Sequence, residues 1–248
     1  MNVITYDEVL DQLEAGTARA AEPDENGEWR VNAHVKEAIL DAFRDGAMVN
    51  HGEFVDKATV LPRRFTVEDG VRLVPGGSSV RRGSYVASGV VIMPPAYINV
   101  GAFVDEGTMV DSHALVGSCA QVGKRVHLSA AVQLGGVLEP IGATPVIVED
   151  DAFIGAGAVI VEGIRVGRRA VIAPGVTLSR ATPVYDAVNE RILERGEAIP
   201  QDAVVIPGTR PMRGDWAGGQ GLAMNCPIIV KYRDEGSDAS LMLEESLR

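Results

Sequence analysis

INVGAFVDEGTMVDSHALVGSCAQVGKRVHLS, residues 98–129, repeats with a period of six. Its aliphatic residues Ile98, Val104, Val110, Val116, Val122 and Leu128 stand one hexad apart. The same step runs back through Ile92 and Val86 to Val80, and forward to Leu134. Four places after each aliphatic residue sits a small or β-branched one, as in Ala102, Thr108, Ala114, Ala120, Val126 and Val132. The phase slips across GGVLEPIGATPVI, residues 135–147. It restarts at Val148 and continues through Ile154, Ile160, Val166, Ile172 and Leu178.

An α-helix needs a period of 3.6 and a half-buried strand a period of two. A period of six, with Gly117, Gly123, Gly155 and Gly167 directly after aliphatic residues, needs short flat strands joined by tight turns. One rung cannot bury its own apolar face, so rungs must stack around a shared core. The expected fold is therefore mainly β, a parallel β-helix over residues 76–181 with a loop at 135–147. Residues 1–75 read as a small helical N-terminal domain. Thr5 or Asp7 caps a first helix that stops near Gly16, and 32–44 places Val35, Ile39 and Phe43 on one face of a second. Pro75-Gly76-Gly77 marks the entry to the repeat. Residues 182–248 form a C-terminal extension, with strands over 203–207 and 226–232, a flexible loop at GDWAGGQG and a terminal helix over 237–248.

Composition narrows the function. The 248 residues carry a net charge of −11, which argues against nucleic acid as a partner. The start, MNVITYDEVLDQLEAG, lacks the basic and apolar regions of a signal peptide. No stretch is apolar enough for a membrane span, so the expectation is a cytoplasmic protein. The two cysteines, Cys119 and Cys226, make no C-x-x-C pair, and with the four histidines they show no metal-ligand spacing. No metal is expected.

The stretch 98–129, followed by GGVLEP and later by VVIPGTRP and IIVKY, resembles the tetrahydrodipicolinate N-succinyltransferase family of lysine and diaminopimelate biosynthesis. The likeness covers nearly the whole chain. It implies a left-handed β-helix, an exception to the usual right-handed crossover. It implies a homotrimer with active sites between subunits, and an acyl-coenzyme A thioester as co-substrate. The resemblance implies succinyl-CoA as the donor and the amine of L-2-amino-6-oxopimelate as the acceptor. Asp111, in TMVDS, matches the family's active-site aspartate, and Arg72, in GVRLVP, a substrate-binding arginine. The chemistry suits both. A carboxylate can orient and deprotonate an ammonium, and an arginine fork suits a dicarboxylate.

Residue type and spacing alone leave Asp111 a second reading, as a plain turn former like Asp105 one hexad earlier. His113, two residues on, is either a substrate contact or a plain surface side chain. His127, beside Leu128, is a candidate base or a packed side chain. Small residues at Ala156, Gly157 and Gly175 would let backbone approach the pantetheine of CoA, with Arg180 or Lys231 meeting phosphates. Glu139-Pro140 is expected near the active-site rim.

Two departures from the family keep the acyl group open. Val159, in IGAGAV, replaces the family's glutamate, and SAAVQLGG puts Ala130, Ala131, Gln133 and Leu134 where small residues are usual. The stretch IGAGAVIVEGIRVGRRAVIAPGV resembles the pathway's N-acetyltransferase instead. Succinyl transfer is thus the first reading. Acetyl transfer to the same or a related amino-dicarboxylate is the second, and a non-catalytic β-helix scaffold the third.

Overall fold

The structure is a computed structural model that describes residues 5–234. Two-residue strands stack in parallel into three faces of a prism, the mainly β, left-handed parallel β-helix expected. The first face carries Arg72–Leu73, Val91–Ile92, Met109–Val110, His127–Leu128, Phe153–Ile154 and Val171–Ile172. The second carries Ser79–Val80, Tyr97–Ile98, Leu115–Val116, Gln133–Leu134, Val159–Ile160 and Thr177–Leu178. The third carries Tyr85–Val86, Phe103–Val104, Gln121–Val122, Ile147–Val148 and Arg165–Val166. Arg72–Leu73 pairs with Val91–Ile92, so the parallel ladder starts before residue 76.

The hexad pattern has a direct physical cause. The second residue of every strand points inward, and all the aliphatic residues of the repeat are buried in one core. Burying each contributes about 1.5–3 kcal/mol. The small residue four places on lies at the corner and is buried too, with Thr108 satisfied by donating to the Gly123 carbonyl at 2.8 Å. The third residue after the aliphatic one takes a left-handed conformation. Glycine holds it at Gly107 (φ 70°) and Gly175 (φ 73°), but His113 (φ 63°), Cys119 (φ 65°) and Ala131 (φ 59°) hold it elsewhere. The glycine directly after an aliphatic residue serves another purpose. A Cβ on Gly123 would stand 2.3 Å from the Asp150 carboxylate and 2.7 Å from its backbone nitrogen.

The N-terminal domain covers the edge between the second and third faces. Helix α1 (Tyr6–Glu14) is capped by Thr5, whose side chain accepts from the Glu8 N–H while Glu8 reaches back. Helix α2 (Ala33–Asp45) lays Val35 and Ile39 against α1 and the prism. Two short hairpins, at 21–31 and 48–57, accompany the helices. The first brings Arg19 and Trp29 to the third face, where the Arg19 guanidinium lies 3.7 Å from the Phe103 ring centre. From α2, the fully buried Lys36 donates to the carbonyls of Val137 (2.7 Å) and Ala143 (2.6 Å), pinning the loop at 135–146.

After Leu178 the chain makes an excursion and returns as a long hairpin, Ala203–Pro211 with Ala223–Tyr232. Val204 pairs in parallel with Val171, so the hairpin extends the first face. GDWAGGQG is not a featureless loop. It holds the short helix α3 (Asp215–Gly219), with Ala217 buried and its carbonyl accepting from the Leu222 N–H at 3.0 Å. The terminal helix expected over 237–248 falls outside the described residues.

Candidate active site

The turns joining the first face to the second stack into one edge of the prism. Its hydrogen bonds climb rung by rung. The Ala131 N–H donates to Ser112 O at 2.8 Å, Gly157 to Ala130 O at 2.9 Å, and Gly175 to Ala156 O at 3.0 Å. This edge therefore collects Asp111, His113, Ala156, Gly157 and Gly175, which lie far apart in sequence. A Cβ on Gly157 or Gly175 would meet nothing within 4 Å, so both turns are open to close approach from outside.

Asp111 is half-buried at this edge. Its backbone N–H donates to Leu128 O at 2.9 Å, and its Oδ1 accepts from the Ser112 N–H at 2.7 Å. That bond fixes the carboxylate and leaves Oδ2 for a ligand. His113 is exposed, with its N–H bonded to Pro95 O at 2.5 Å. Its left-handed backbone is the requirement of the corner.

Arg72 projects outward from the first rung of the first face and is exposed. Two rungs separate it from the Met109 strand that precedes Asp111, about 10 Å at the usual strand spacing. His127 lies on the same face, its ring 4.9 Å from that of Phe153. Among the described residues no group of three His, Cys, Asp or Glu side chains could hold a metal ion.

Other expected residues lie elsewhere. Arg180 is on the edge beyond the second face, where its N–H donates to Glu162 at 2.9 Å. It lines a cavity of about 330 Å³ with Ser179, Thr182 and Arg195, under the 182–197 excursion. Lys231 is exposed on the C-terminal hairpin. Glu139 and Pro140 belong to the loop pinned by Lys36, which also leaves from the far edge of the second face. Within one subunit, Glu139-Pro140 is therefore not at the rim of the Asp111 edge.

The outward row of the second face holds Leu115, Gln133, Val159 and Thr177 in register. By spacing alone Gln133 is only a larger side chain where a small one is usual. Its side chain instead folds over the Asp111 edge, with Nε2 donating to His113 O (3.1 Å), Val132 O (3.1 Å) and Ala131 O (3.3 Å). The signal was a polar residue at an outward strand position, but only the fold shows which turn it reaches.

Comparison with known proteins places the chain. Residues 4–44 match the model for the N-terminal region of tetrahydrodipicolinate N-succinyltransferase, and 145–180 match the hexapeptide repeat of succinyl-transferase. A 2,3,4,5-tetrahydropyridine-2,6-dicarboxylate N-succinyltransferase from Xylella fastidiosa (strain 9a5c) is 42% identical over 98% of this chain and 88% of its own. One from Ralstonia pickettii (strain 12J) is 45% identical, over 97% and 87% respectively. A Campylobacter jejuni crystal structure assigned the name 2,3,4,5-tetrahydropyridine-2-carboxylate N-succinyltransferase shares the fold at 18% identity and a TM-score of 0.57, covering 92% of this chain and 63% of that one. The chain belongs to the 2,3,4,5-tetrahydropyridine-2,6-dicarboxylate N-succinyltransferase family.

Proposed function

We propose that the protein transfers the succinyl group of succinyl-CoA to the amine of ring-opened tetrahydrodipicolinate, L-2-amino-6-oxopimelate. The observation that carries this is identity above 40% with succinyltransferases over nearly the full chain. The open prism edge supports it. Asp111 takes a proton from the substrate ammonium, and the freed nitrogen lone pair attacks the thioester carbonyl carbon. The C–N bond forms, the C–S bond breaks, and CoA leaves as a thiolate that takes up a proton. Arg72 holds one carboxylate of the acceptor through its guanidinium fork, and His113 contributes to the acceptor's surroundings.

The pantetheine arm lies along the edge at Ala156, Gly157 and Gly175, where side chains leave room. Lys231, exposed on the C-terminal hairpin, is the cation offered to the CoA phosphates, and Arg180, on the opposite edge of the second face, is offered from a neighbouring subunit. The working unit is a homotrimer with sites between subunits, in the cytoplasm, and the chemistry uses no metal.

Acetyl transfer is a second reading, favoured by Val159 beside Gln133 on the second face. The bulk of Gln133 where a small residue is usual leaves less room for a succinyl group than for a two-carbon acetyl group. Thiol release from succinyl-CoA and from acetyl-CoA, with L-2-aminopimelate as acceptor, separates the two. Turnover with succinyl-CoA is expected. Turnover with acetyl-CoA alone would overturn the assignment.

A further inference from the structure

Gln133 and Gln121 occupy equivalent outward positions on two different faces. Each carboxamide folds over the turn that precedes its own strand. Gln121 Nε2 donates to Cys119 O at 2.9 Å and lies 3.4 Å from Gly101 O and Ala120 O. Gln133 Nε2 meets the corresponding carbonyls of Ala131, His113 and Val132. Carbonyls accept only, so in both cases the amide must present its NH₂ to the turn. The Oε1 atom is thereby fixed outward.

The two glutamines differ in what that oxygen does. Gln121 Oε1 accepts from Arg19 Nε at 2.9 Å, a cation supplied by the N-terminal domain. Gln133 Oε1 has no hydrogen-bond partner among the described residues. The carboxamide is tied through Nε2 to the turn that carries His113, and its neighbours in register are the aliphatic Leu115 and Val159. The Oε1 atom is thus an oriented, outward acceptor between apolar neighbours, beside the turn of Asp111 and His113.

We infer that Gln133 Oε1 is the acceptor for an N–H of the substrate's ammonium, as Gln121 Oε1 is for the Arg19 guanidinium. This deepens the amine-acylating reading above and rests on it. Gln133 binds and orients the nitrogen while Asp111 removes its proton. With Val159 aliphatic, the polar contact to the amine on this face comes from the rung of Gln133.

The test compares two ligands and two proteins in the presence of CoA. L-2-aminopimelate carries the amine, and pimelate lacks it. Binding of each is measured by calorimetry to the wild type and to Gln133→Lys, which can still donate to the turn carbonyls but offers no acceptor. The wild type is expected to prefer L-2-aminopimelate by at least about tenfold, the scale of one charge-assisted hydrogen bond. The variant is expected to lose most of that preference, bind pimelate as before and keep its melting temperature. Gln133→Met, of similar length and uncharged, gives the same reading if the lysine disturbs the fold.

A folded variant that keeps the wild-type preference overturns the role of Gln133. Equal loss of both ligands also overturns it, because that is the mark of a structural clamp alone. A wild type that neither binds nor acylates L-2-aminopimelate overturns the amine-acylating reading as well.

Discussion

Asp111 and Asp105 show how little a single residue reveals by itself. Both follow an aliphatic residue of the repeat, and both carboxylates accept from the next backbone N–H, at 2.7 Å for Asp111 and 2.8 Å for Asp105. Their local conformations match, so turn propensity could not separate them. What differs is the edge. Asp105 belongs to the edge between the third and first faces, among Lys124, Arg125, Asp150 and Asp151, where charged side chains pair with one another. Asp111 belongs to the open edge with Gly157 and Gly175. Replacing Asp111 by Asn is expected to lower kcat at least about a hundredfold, the usual cost of a lost general base. Asp105→Asn is the matched control and is expected to stay within about twofold of wild type. Steady-state thiol release with both variants checks the pair. Cys119 behaves as a packing residue. Burial pushes its thiol up to about 12, with Lys36 opposing weakly. The folded form holds this proton above pH 9 while the unfolded thiol loses it. Stability from this site is therefore complete below pH 9 and falls as pH rises from about 9 towards 12. Iodoacetamide labelling of the native protein is expected to spare Cys119 until the chain unfolds.

At the scale of the element, the corner decides what each position tolerates. The glycine after an aliphatic residue and the glycine two places later look alike in sequence but answer to different constraints. Gly123 needs its missing Cβ because the next coil passes too close. Gly123→Ala is expected to cost about 1–3 kcal/mol by overpacking. The left-handed position needs backbone freedom instead, and Ala131 occupies it at φ 59° with strain. Ala131→Gly is expected to stabilise by about 0.5–1 kcal/mol. Thermal denaturation of the two variants, moving in opposite directions, measures both. The repeat made the strands legible from sequence because inward burial recurs every six residues whatever the corner holds. The start at Arg72–Leu73 was less legible, since that strand precedes the regular hexads and is revealed only by pairing with Val91–Ile92. Helix α3 was hidden for the same reason, because its glycines suggest a loop until Ala217 finds a buried place. The reach of Gln133 over the His113 turn was equally hidden, because hexad spacing fixes which way a side chain leaves the strand but not which carbonyls it meets.

At the scale of the whole molecule, the second face separates two groups that the sequence reading put together. The Asp111 turn lies along one edge, and the Glu139-Pro140 loop leaves from the other, held by Lys36. A single prism cannot fold its own far edge around to its near one. If both line one site, a neighbouring subunit must supply the loop, as a closed trimer permits. The first face adds to this picture with an outward row of Val91, Met109, Phe153 and Val171, apolar side chains left only half-covered in the isolated chain. Sedimentation is expected to give a mass near three times the 26.3 kDa of one chain. A site shared in this way has a sharper testable consequence. Asp111→Asn and Glu139→Ala chains are each expected to be impaired as homotrimers. Unfolded together and refolded as a mixture, they form some sites that take Asp111 from one chain and Glu139 from the other. Random assembly at equal amounts makes about a quarter of all sites intact in this way. Activity recovered to roughly that fraction of wild type places the two residues on different subunits. No recovery, with mixed trimers demonstrated by mass, would place them in one subunit, whereas a fully active Glu139→Ala homotrimer would remove Glu139 from the site, and the loop would then serve only to seat the N-terminal domain through Lys36.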